Sequence, residues 1–100
     1  MNRNEISYTI ARGNMEALLL HTLHSEPQTA IQLINSINEK IGVRFSPGSV
    51  YPKLWKLQKD GYVIQDKTKF ALTEQGIRRL KEDVASLLIV WKFLCEGTKK

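Results

Sequence analysis

Residues 45–63 constrain this chain most: they carry a short helix signature bounded on both sides by turn residues. Ser46, Pro47 and Gly48 favour a turn, and a serine followed by proline suits the opening of a helix. Val50, Leu54 and Leu57 then fall on one helical face, with Trp55 close beside it. Asp60 and Gly61 stop the run. Pro52 cannot donate a backbone hydrogen bond and is tolerable only in a first turn, so the helix is expected to start at Gly48 or Ser49. Just beyond, residues 62–65 and 69–72 read as two short strands, with Asp66, Lys67 and Thr68 turning between them.

The flanking sequence supplies further helices. Asn14 can cap one that runs to about His24, where Met15, Leu18, Leu19, Leu20 and Leu23 bury a broad face. Ser25, Glu26 and Pro27 break it. Thr29, with Gln32 three residues on, has the spacing of a capping box. Ile31, Leu33, Ile34, Ile37 and Ile41 give that helix an apolar face, and Gly42 ends it. Thr73 caps a last helix that begins at Glu74 and runs to about Glu96, with Gly76 in its first turn at modest cost. The order helix, helix, helix, hairpin, long helix predicts a mainly α fold with a small β-hairpin. It is a winged helix-turn-helix domain, residues 1–73, followed by a C-terminal dimerisation helix, residues 74–100.

One hundred residues suit a single domain with a small core, and chains of this size often gain stability by pairing. The lone cysteine, Cys95, excludes an internal disulfide framework and a cysteine metal site, and fits a reducing, cytoplasmic setting. No secretory signal is visible, and no stretch of about 18 apolar residues is present to span a bilayer. The net charge of +5 is unevenly placed: residues 1–39 carry −2, residues 40–81 carry +7, and residues 82–100 are neutral. A basic block in the middle of the chain suggests one positive face. A solvated lysine-rich surface would give the same count.

In the last helix Ile77, Leu80, Val84, Leu87, Trp91 and Leu94 recur at alternating steps of three and four, a heptad seam. Leu88, Ile89, Val90 and Phe93 widen the apolar surface beyond one stripe. An exposed, solitary helix would carry more polar surface. One face is therefore expected to pack on the domain and the other on a second copy.

The residues Ser46-Pro47-Gly48-Ser49-Val50-Tyr51-Pro52-Lys53-Leu54, followed by Leu57 and Asp60-Gly61-Tyr62-Val63, resemble the PadR family of transcriptional regulators. Arg12-Gly13-Asn14 before a leucine-rich helix is similar to that family's opening, and Leu72-Thr73-Glu74-Gln75-Gly76 to the start of its final helix. The resemblance covers about residues 10–80 and is closest to the smaller subgroup with a single short C-terminal helix. It implies a dimeric winged-helix regulator of double-stranded DNA, usually a repressor. Two places depart from the pattern. Thr29-Ala30-Ile31-Gln32 stands where the family often has His-Gly-Tyr-Glu, and the wing is short, offering only Lys67 and Lys69 for phosphate.

Candidate DNA contacts follow. Ser46, Ser49 and the amides at the helix opening can donate to a phosphate, and Gly48 lets a backbone approach. Lys53, Lys56 and Lys59, at steps of three, project along one side. The family motif places the Tyr51 hydroxyl at the DNA backbone; a tyrosine half-buried against the core is the alternative. Trp55 is read as packing, with base contact as the alternative. Arg78 and Arg79 could reach a flanking phosphate. Gln58 and the lysines are the side chains suited to reading bases. A two-fold dimer would read a pseudo-palindrome.

Two other functions compete. One is sensing of a small aromatic ligand at the dimer interface, beside Trp91 and Phe93. The other is a protein-assembly module without DNA. Enzymatic motifs do not stand out, and no cofactor or metal is expected. His21 and His24, three residues apart, read as surface histidines.

Overall fold

The computed structural model describes residues 3–97, with side chains from residue 8 onward; the outermost ends of both expected units lie outside these residues. In chain order the elements are α1 (Arg3–Gly13), α2 (Met15–Ser25), β1 (Gln28–Thr29), α3 (Ala30–Ile41), α4 (Pro47–Lys59), β2 (Val63–Asp66), β3 (Lys69–Leu72) and α5 (Glu74–Gly97). The strands form one antiparallel sheet in the order β1-β3-β2. The wing register pairs Val63 with Leu72 and Asp66 with Lys69.

Local chemistry fixes the boundaries. At α3 both halves of the capping box are made: the Gln32 amide donates to Thr29 Oγ1 at 3.2 Å, and the Thr29 amide donates to Gln32 Oε1 at 2.9 Å. Gly42 ends the helix at φ 78°, a conformation that suits glycine. At α5 the Gly76 amide donates to Thr73 Oγ1 at 3.0 Å, and the Thr73 hydroxyl donates to the Gly61 carbonyl at 2.7 Å. The cap of the last helix is thereby fastened to the stop of α4.

Leu19 and Leu20 of α2, Leu33 of α3, Val50, Leu54 and Leu57 of α4, and Val63 and Phe70 of the hairpin are fully buried. They form one core, where the period of three to four in the helices meets the period of two in the strands. Among the described residues no helix is long and apolar enough to cross a membrane.

Several expectations need correction. The fourth helix starts at Pro47, not at Gly48 or Ser49, because proline at the first helical position is already set for the helix. Pro52 therefore lies beyond the first turn. The bond it removes would have gone to the Gly48 carbonyl, and Gly48 is exposed, so water can supply a partner there. Asn14 does precede α2, but its side chain does not cap that helix. Its Nδ2 donates instead to the Ile10 carbonyl at 2.8 Å, closing the last turn of α1. Neither α1 nor β1 was anticipated. Ile31 and Ile41 are exposed rather than part of the α3 core face, which consists of Ala30, Leu33, Ile34 and Ile37.

Gly76 is more than a tolerated glycine. A Cβ there would collide with the Tyr62 carbonyl and with the Leu72 side chain. The helix sits directly on both ends of the hairpin because nothing intervenes.

Candidate nucleic-acid interface

α4 and the β2–β3 wing carry most of the candidate contacts. Ser46 is the N-cap residue of α4 by position, but its hydroxyl does not cap the helix; it donates to Ser49 Oγ at 3.2 Å. Its carbonyl accepts from the amides of Ser49 and Val50, both at 3.1 Å. A Cβ on Gly48 would meet nothing nearer than Ser46 Oγ at 3.9 Å, so the fold itself does not demand glycine there. Tyr51 is half-buried against the core edge, with its ring 5.8 Å from that of Trp55. Trp55 is 58% exposed, so it lies outside the core and the ring contact with Tyr51 is its packing.

All three lysines of the row are exposed, and Lys53 and Lys56 also line a cleft between α4, the start of α2 and α5. Glu16 occupies that cleft. Its Oε1 lies 3.2 Å from Lys56 Nζ, and its Oε2 accepts from Arg79 at 3.0 Å. Arg79 also donates through Nε to Asp83 at 3.1 Å, one turn further along α5. Its guanidinium lies 5.2 Å from the Tyr62 ring centre.

Burial pushes the Glu16 carboxyl up, but the Lys56 and Arg79 cations outweigh it and hold the group below the ordinary carboxylate value. Arg79 is held above the usual guanidinium value, first by its hydrogen bond to Asp83 and then by Glu16. The Lys56 contact is an ion pair without directed hydrogen-bond geometry, so Oε1 is buried with no hydrogen-bond partner. Glu16 thus ties α2, α4 and α5 at one point. Arg79 belongs to this internal network, whereas Arg78 is exposed. Nothing in the spacing of Glu16 announced the arrangement, since its partners lie far along the chain.

On the wing, Lys67 and Lys69 are both exposed, and Lys67 sits at φ 58° in the turn. That conformation is unusual for a residue with a side chain and makes the turn tight.

The expected dimer seam is also divided. Leu80 is only 8% exposed and belongs to the chain's own core, and Ile77 is half-buried. Leu80 is thus unavailable to a partner, because the first turns of α5 lie on the domain. Val84, Leu87, Leu88, Trp91 and Leu94 are exposed, as are Ile89, Val90 and Phe93. His21 and His24 are exposed, and among the described residues no group of three or more His, Cys, Asp or Glu could hold a metal ion.

The three helices α2, α3 and α4, closed by a wing and followed by a long helix, define a winged-helix protein. The same architecture is found in a transcriptional regulator from Clostridium thermocellum (TM-score 0.81, 18% identity, covering 91% of this chain and 96% of that one). It recurs in a PadR-like transcriptional regulator from Bacillus cereus (TM-score 0.81, 20% identity, 92% and 98% covered). A PadR-like transcription factor from Bacteroides fragilis is similar at TM-score 0.67 and 25% identity, with 93% and 94% covered. No curated protein sequence matches the chain. Residues 19–82 match the model of the Transcriptional regulator PadR-like family. The chain belongs to that family and is a DNA-binding transcription regulator.

Proposed function

We propose that the chain acts as a homodimeric repressor on a pseudo-palindromic operator. One observation carries this reading: every large apolar side chain in residues 84–94 of α5 is exposed in the single copy. A contiguous apolar surface of that kind marks an interface. Pairing through it along a two-fold axis would set two α4 helices at a fixed separation, matched to successive turns of a duplex. In each copy Ser46, Gly48, Ser49, Tyr51, Lys53, Lys56 and Lys59 would address the groove and its phosphates. Lys67 and Lys69 would neutralise the backbone beside it. A dimer seated in this way over promoter DNA would exclude polymerase, which is the basis for the repressor assignment.

The test combines light scattering with footprinting on duplexes selected from a random pool. Two protected half-sites about one helical turn apart are expected. A monomer protecting a single site would refute the proposal. Replacing Lys53 and Lys56 together by alanine removes two lysines from each of two copies, so it should weaken binding and lower the slope of log affinity against log salt by about three to four, without changing the dimer. An unchanged slope would remove both lysines from the interface.

A further inference from the structure

We propose that Trp55 is a base-reading residue: its indole contacts the C5-methyl groups of thymines in the major groove. The assignment rests on the DNA-binding reading of α4 and concerns how that helix distinguishes sequences. Tyr51, Trp55 and Lys59 are four residues apart in succession, so they lie along one line of the helix surface. Tyr51 is anchored against the core, and Trp55 leans on it with ring centres 5.8 Å apart and planes inclined by 44°. Trp55 itself is 58% exposed. A large apolar ring is thus held in place on the open side of the helix.

The surroundings point to a polyanion as its occupant. α4 contains no acidic residue, and the exposed Lys59 follows Trp55 by one turn on the same line, while Lys56, the next residue, is paired with Glu16. A second copy seated over this ring would set those lysines against their own equivalents, whereas a duplex would neutralise them. The helix also lacks arginine, and Gln58 is its one side-chain amide. With no arginine and one amide for bidentate hydrogen bonding, apolar contact with the thymine methyl is a direct readout that the helix can add to what Gln58 and its lysines supply.

The test measures anisotropy of labelled duplexes: an alternating dA-dT duplex and the same duplex with every thymine replaced by uracil, which deletes only the methyl. The wild type should prefer the methylated duplex by at least about fourfold, the effect of one buried methyl-sized group, and by more where both copies make the contact. Trp55→Ala should abolish that preference while leaving the salt slope and the mass of the protein assembly unchanged. Trp55→Phe should restore part of the preference. A wild type that does not distinguish the duplexes overturns the assignment, as does a Trp55→Ala variant that still distinguishes them. So does a change of assembly mass in Trp55→Ala, which would make the ring a protein contact. A wild type that binds neither duplex at low salt removes the DNA reading itself, and this assignment with it.

Discussion

The two halves of α5 share one apolar pattern but have opposite fates. In residues 74–83 that pattern is consumed by the domain: Gly76 and Leu80 are buried, Ile77 is half-buried, and Arg79 is tied to Glu16 and Asp83. In residues 84–94 the pattern continues without a break, yet its large side chains are exposed, Trp91 by 64%. Periodicity therefore says that a face is apolar but not what covers it. The change comes without a change of composition, while Leu87 still borders clefts lined by α1 and α2.

Three measurements can break or sharpen that contrast. The largest effect is expected at the seat of the helix. Gly76→Ala should destabilise the chain by roughly 3 kcal/mol and lower Tm by more than about 10 °C in a thermal melt, because the new methyl has nowhere to go. A melt like that of the wild type would mean the first half is not locked. Next come Leu87→Glu and Trp91→Glu in the bare half. Each should cost the dimer at least about 2 kcal/mol by light scattering, while circular dichroism reports an intact fold. Loss of the fold would show that this half, too, serves the single chain.

The smallest effect is at the junction. Glu16→Gln should cost about 1–2 kcal/mol by removing the counter-charge of Lys56 and Arg79. The pH dependence follows from the sign of the shift. The folded Glu16 carboxyl titrates below its ordinary value of 4.5, so its contribution is complete above that value and is lost as pH falls through the lower folded one. Acid melts of the wild type should show this loss and those of Glu16→Gln should not. Parallel acid melts would remove Glu16 as a stabilising tie.

The sequence disclosed what local chemistry decides. The capping box at Thr29 and Gln32, the left-handed stop at Gly42, the cap at Thr73 and the hairpin around residues 66–68 are all encoded within a few residues of one another. Contacts distant along the chain stayed hidden. β1 is two residues long and exists because Gln28 pairs with Phe70 and Thr29 with Lys69. α1 leans its Tyr8 ring 5.7 Å from that of Phe45, a partner no short window contains. Among the candidate contacts, spacing set Lys53, Lys56 and Lys59 in one row but could not show that Glu16 already claims Lys56. It also placed Trp55 beside the apolar face, when the helix turns that ring to the open side.

The seating of Gly76 has a mechanical consequence. Because the helix axis rests on the Tyr62 carbonyl and the Leu72 side chain with no cushioning group, hairpin and helix cannot slide past each other. They behave as a bell-crank, one arm of 24 residues spanning about 36 Å and the other the short wing. The angle between the two arms is thus set at a single bare contact, with no side chain at Gly76 to act as a spacer.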